Sequence, residues 1–229
     1  MESQYGAPPE AGARPGHDHL VEFYETTAFL VGTVADFLVP SLRAGDAGVV
    51  VATEAHRGAF AAAIRAVGID LDAAIADGRY QEFDAAALLS TFVVDGVPDE
   101  ARFAAAAGAA LDRAAAGGRH VKVYGEMVAL LWADGDVSST IAVEDLWNDL
   151  ASSRSFSLLC AYPTQGFDDD ARAAFKQICT QHSGVVCAAE LPAGWSPADH
   201  RQIIAELQQE TAALRAELER LRAAQENGR

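Results

Sequence analysis

From about His17 onward, short runs of β-type apolar residues alternate with longer stretches whose apolar positions recur every three or four residues. Such alternation predicts βαβ units around a mostly parallel sheet and argues against a sandwich or a helical bundle. A first strand is expected at Leu20 to Tyr24, then a helix from about Thr26 to Arg43 with Thr26 or Thr27 as N-cap and Gly45 as its stop. The run GVVVAT, ending at Thr53, is apolar as far as that threonine, like strands buried on both faces of a parallel sheet. Helices follow over about Ala55 to Val67 and Asp70 to Ala76, with a third strand over Arg79 to Phe83. Asp84 opens a helix through Leu88 and Leu89, Asp95-Gly96-Val97-Pro98 reads as a loop, and Asp99 caps an Ala-rich helix to Ala116. The strand HVKVYG, the helix EMVALLWA, the turn DGDVSS and a helix from about Thr140 to Ala151 come next. The strand FSLLCAYP, a helix from about Asp169 to His182 and the strand GVVCAA complete one α/β domain over residues 17–192.

The two ends of the chain read differently. Residues 1–16, rich in Pro, Gly and Ala, have no apolar period and read as a disordered leader. A Pro/Gly hinge over 193–199 leads into a helix over 200–226 with Ile204, Thr211 and Leu218 at a positions and Leu207, Leu214 and Leu221 at d positions of a heptad. Glu210 and Glu217 at g then face Arg215 and Arg222 at e of a second chain, so a parallel homodimer is expected. The alternative is that this apolar stripe folds back on its own domain.

Charge narrows the choice of partners. The net charge of -16 disfavours direct contact with nucleic acid or an anionic membrane, since phosphate rewards clustered Lys and Arg. No uninterrupted apolar run approaches the roughly 18 residues of a membrane span, and the N-terminus lacks a signal-peptide layout, so a cytoplasmic location is expected. Cys160, Cys179 and Cys187 lie in apolar surroundings without paired spacing, and read better as buried thiols than as redox or metal groups.

A parallel sheet places its ligand at the carboxyl ends of its strands. The polar residues expected there are Tyr24 and Glu25, then Thr53, Glu54, His56 and Arg57, then Asp84, then Tyr124 and Glu126, and last Tyr162. The competing reading is that Glu54 and Asp84 only cap the following helices. Trp132 and Trp147 fit either core packing or the wall of an apolar pocket. No phosphate-binding loop is present: the first strand-to-helix turn is Tyr24-Glu25-Thr26-Thr27, without the Gly and Lys that cradle phosphates. DGDVSSTIAVED begins like a calcium loop, but Ser139 replaces the Gly and Ala142 cannot be a ligand, so it reads as a turn and helix cap. His17 and His19 have no second His/Cys pair at metal spacing, so no metal and no cofactor are expected.

Several phrases resemble the MEDS domain, the methanogen/methylotroph DcmR sensory domain: DHLVEFYE, GVVVATEAHRGAF, GRYQEFDAAALLSTFVVDGVPDEARF, VKVYGEMVALLWADGD, VEDLWNDL and FSLLCAYP. The matching motif residues are His19, Phe23, Tyr24 and Glu25, His56 and Arg57, Asp84, Asp95 and Gly96, and Tyr124 to Met127. Glu144, Leu146, Trp147, Asn148, Cys160, Tyr162 and Pro163 complete the set. The resemblance covers roughly residues 17–190. It implies a degenerate RecA/KaiC-like fold and a sensory role toward small organic molecules, with output to a kinase, an anti-sigma factor or a transcription regulator.

The leading expectation is a non-catalytic sensory module that binds a small, apolar organic ligand and signals through a coiled-coil dimer. Its expected ligand residues are His19, Tyr24, Glu25, Glu54, His56, Arg57, Asp84, Tyr124, Glu126, Trp147 and Tyr162. Two other readings compete with it: a protein-interaction scaffold without a ligand, and a residual nucleotide-binding ATPase relative.

Overall fold

The β-branched and aromatic runs form strands that stack side by side, and the periodic stretches form helices that cover them. A computed structural model describes residues 18–164, 172–187 and 220. The elements are β1 (His19–Tyr24), α1 (Thr27–Ala44), β2 (Ala47–Ala52), α2 (Glu54–Ala66), α3 (Leu71–Ala76), β3 (Tyr80–Asp84) and α4 (Ala85–Phe92). They continue with β4 (Val93–Val94), β5 (Val97–Pro98), α5 (Glu100–Ala114), β6 (Val121–Gly125), α6 (Met127–Ala133), α7 (Val137–Ser153), β7 (Ser157–Pro163), α8 (Arg172–Gln181) and β8 (Gly184–Cys187). Six strands form one parallel sheet in the order β3-β2-β6-β7-β1-β8. The α/β class with a parallel sheet flanked by helices is therefore the observed one. The leader, the hinge and the heptad residues Ile204, Leu207, Glu210, Leu214, Arg215, Glu217, Leu218, Leu221 and Arg222 lie outside the described residues.

The sheet separates two apolar layers. On one face α1, α2 and α3 pack through Leu30, Val34, Leu38, Phe60, Ile64 and Leu71. On the other, α4 to α8 pack through Phe92, Phe103, Met127, Trp132, Trp147 and Ile178. Every residue of β2 is buried, as its unbroken apolar run requires. Taken alone, α1 is long and apolar enough to cross a membrane, but Leu30, Val34, Leu38 and Leu42 on it are buried within the domain.

Local chemistry sets the boundaries. The Thr26 hydroxyl accepts from the Phe29 N–H at 3.3 Å and caps α1, so the first strand-to-helix turn is an ordinary cap. Asp136 accepts from the Ser139 N–H at 3.0 Å, which starts α7 at Val137, three residues earlier than the sequence pattern suggests, and makes DGDVSS the expected turn and cap. The segment expected as a loop is a hairpin: Asp95 (φ 51°) and Gly96 (φ 79°) turn β4 back antiparallel onto β5. Positive φ at both central residues is what a tight two-residue hairpin demands, and Asp-Gly supplies it cheaply.

Candidate functional site

The expected ligand residues divide between two ends of the sheet. At the carboxyl ends, Glu126 follows β6 and is buried. Its Oε2 accepts from the Thr53 N–H at 2.9 Å and faces the Thr53 hydroxyl at 3.4 Å, while its Oε1 lies 2.6 Å from His56 Nδ1. Tyr24 meets the His56 ring edge-on, and Phe60 stands between His56 and Tyr124. Burial pushes the Tyr24 hydroxyl up to about 12, with Glu126 and Glu22 adding to the effect. Arg57 pairs with Asp84 at 3.2 Å, and Asp84 also accepts from the Ala87 N–H at 2.9 Å as the N-cap of α4. Asp84 thus caps α4 besides pairing with Arg57, whereas the N-cap position of α2 falls to Thr53 and not to Glu54. Glu25 and Glu54 are exposed and make no side-chain hydrogen bond among the described residues.

At the other end, beneath the amino ends of β1, β7 and β8, His19 and Trp147 border a cavity of about 250 Å³. Its wall combines Trp147, Phe156 and Leu158 with Asn148, His19 and His182. The placement of His19 and Trp147 corrects the expectation of a single carboxyl-end site. His19 is the first residue of β1, and Trp147 projects from the sheet-facing side of α7, lining the cavity with its indole nitrogen near Gly125 at the end of β6.

Behind the cavity lies a cluster of buried polar groups. Helix α7 sets Glu144 and Asn148 one turn apart on one face. Alternation along β7 turns Cys160 and Tyr162 toward that face. The Glu144 carboxylate, fully buried, accepts from the Tyr162 hydroxyl at 2.5 Å and from the Cys160 thiol at 3.5 Å. It also faces His19 Nε2 at 3.2 Å and His182 Nε2 at 3.4 Å. Burial alone would raise the Glu144 carboxyl, but His182 and His19 outweigh it and hold that group well below the usual carboxylate range. Burial, reinforced by Glu144, pushes both the Cys160 thiol and the Tyr162 hydroxyl well up.

Both imidazoles are oriented by their outer nitrogens. Asn148 Nδ2 donates to the Gln181 carbonyl at 3.1 Å and to its side-chain oxygen at 3.2 Å. That commitment turns Asn148 Oδ1 toward His19 Nδ1, 2.9 Å away, and assigns the hydrogen to Nδ1. His182 Nδ1 donates to the Ile178 carbonyl at 2.7 Å. Each ring therefore turns its Nε2 toward Glu144, and among the described residues the His182 Nε2, 3.4 Å from Glu144 Oε1, makes no well-aligned hydrogen bond.

Of the expected residues, the structure brings Tyr24, His56, Tyr124 and Glu126 together at the carboxyl end, with the Arg57–Asp84 pair beside them. It brings His19 and Trp147 together at the amino-end cavity, while Tyr162 stands near the carboxyl end of β7 with its hydroxyl on Glu144. Glu144, Asn148, Cys160 and His182 were not among the expected ligand residues. VEDLWNDL, with its Glu and Asn four apart, was the available signal for the first two; His182 carries none, since it follows a helix and contacts residues far away in the chain.

Residues 18–183 match the model of the MEthanogen/methylotroph, DcmR Sensory domain, MEDS. No curated protein matches the chain.

Proposed function

Since the chain belongs to the MEDS family of sensory domains, we propose that it is a non-catalytic, cytoplasmic sensor whose small-molecule ligand occupies the amino-end cavity. The observation that carries this reading is the cavity's lining, an aromatic and aliphatic wall with a few convergent polar groups, as ligand sites generally have. A volume of about 250 Å³ suits a small organic molecule, since a water's share of liquid volume is about 30 Å³. Trp147, Phe156 and Leu158 supply apolar contact, and Asp18 stands beside them as a charged group at the wall. The rim favours such a ligand less, because Glu126 is already engaged by Thr53 and His56.

Signalling then needs the ligand to prefer one of two arrangements. In this reading the heptad segment over 200–226 joins two domains, and a partner such as a kinase, an anti-sigma factor or a transcription regulator receives the change. A thermal-shift series on the full chain with short alcohols, amines and halogenated hydrocarbons tests the proposal. A ligand at a hundred times its Kd adds about 2.7 kcal/mol and raises Tm by several degrees. Ala151→Leu, which fills the cavity from α7, should abolish that shift. The reading fails if no compound shifts Tm, or if the shift survives Ala151→Leu.

A further inference from the structure

His19, Glu144, Cys160 and His182 come from β1, α7, β7 and the turn before β8, yet one ligand atom from each lies within 4.8 Å of all the others. We propose that these four side chains bind a divalent transition-metal ion of borderline softness, with zinc as the leading occupant.

The spacing is that of a coordination shell. Zinc bonds of about 2.0–2.1 Å to nitrogen and about 2.3 Å to sulfur, set tetrahedrally, separate neighbouring donors by about 3.3–3.6 Å. His19 Nε2 and Cys160 Sγ stand 3.2 Å and 3.5 Å from Glu144 Oε2 and 3.6 Å from each other, while His182 Nε2 stands 3.4 Å from the other oxygen, Oε1.

The outer contacts fit as well. Metal-bound histidines characteristically donate their other N–H to a carbonyl or carboxylate. His182 donates to the Ile178 carbonyl and His19 to the Asn148 amide oxygen, so both Nε2 lone pairs point inward. Tyr162 holds the Glu144 carboxylate in turn.

The charges of the site suit a divalent ion. With no ion, a neutral His182 aims a lone pair at a carboxylate oxygen, an acceptor facing an acceptor. A dication with two neutral imidazoles, a carboxylate and a thiolate is uncharged overall, which is what a buried site tolerates. The nitrogen and sulfur donors select against magnesium and calcium. The ion and the cavity share His19 and His182, but the inference stands even if the ligand proposal fails.

The test uses the full chain, dialysed against zinc and then passed through buffer without metal. Elemental analysis should find one equivalent of zinc per chain. Cobalt(II) in its place should give the intense visible bands of a tetrahedral site and a thiolate-to-cobalt charge-transfer band. Cys160→Ser should remove the charge-transfer band, and Asn148→Ala should keep it while weakening affinity about 10- to 100-fold. Should Cys160→Ser not fold, the band in the unaltered chain decides. The proposal is overturned if the folded chain retains no zinc or cobalt, if bound cobalt shows no thiolate band, or if His56→Ala rather than Cys160→Ser removes the metal.

Discussion

Two buried carboxylates on opposite faces of one sheet, Glu126 and Glu144, are treated by their surroundings in different ways. Glu126 is met by one backbone N–H, one hydroxyl and one imidazole, and the Thr53 and His56 that supply them are three residues apart in sequence. Such a group is satisfied within the fold and stitches the end of β2 to the end of β6. Glu144 faces two imidazoles, a thiol and a phenol, and both imidazoles are held by outer partners so that Nε2 faces inward. The first arrangement closes on itself; the second converges on a point where a cation fits. Glu22, a third buried carboxylate, lies on β1 with little to offset its burial. Burial raises its pKa to about 7, and the Thr33 hydroxyl offsets only part of that.

The comparison can be broken by substitution. Glu144→Ala should have the largest effect, because it strips a buried carboxylate from its charged and hydrogen-bonding neighbours. In chelator-treated protein, stability should fall by about 3–5 kcal/mol, read from urea unfolding as a lower midpoint with an unchanged slope.

Glu22→Gln should act in the opposite direction. Its carboxyl binds its proton more tightly folded (about 7) than unfolded (4.5), so the native state holds more protons between those values and stability declines as pH rises through that window. At pH 4 the substitution should change little. At pH 8 it should remove the cost of an ionised buried carboxylate and stabilise the chain by about 3 kcal/mol, read from unfolding curves at the two pH values. Equal effects at both pH values would remove Glu22 from the comparison.

Arg57→Ala should have the smallest effect. Its pair with Asp84 is partly exposed, and Asp84 keeps its capping bond without it, so a loss below about 1 kcal/mol is expected in the same assay.

Local features were legible in the sequence. Thr26, Asp84, Asp99 and Gly45 mark helix ends where they were expected, because capping depends on residues three or four positions away. The apolar runs found all six strands of the parallel sheet. The Asp95-Gly96 turn was visible but its hairpin was not, since β4 and β5 are two residues each and too short to show alternation. The carboxyl rim was partly legible because a parallel sheet puts the carboxyl ends of all its strands along one edge. The cluster around Glu144 was not, since metal spacing in a sequence is sought over a few residues, whereas Cys160 lies 141 residues from His19 and 16 from Glu144. Cys160 read as a buried thiol, and it is one; only the fold shows what else is buried with it.

The difference between the two carboxylate sites is tested most directly by anomalous diffraction at the zinc absorption edge, on crystals of the full chain grown with zinc. One peak per chain among His19 Nε2, His182 Nε2, Glu144 and Cys160 Sγ is the predicted result. A peak between His56 and Glu126 instead, or none at either site, would contradict the account.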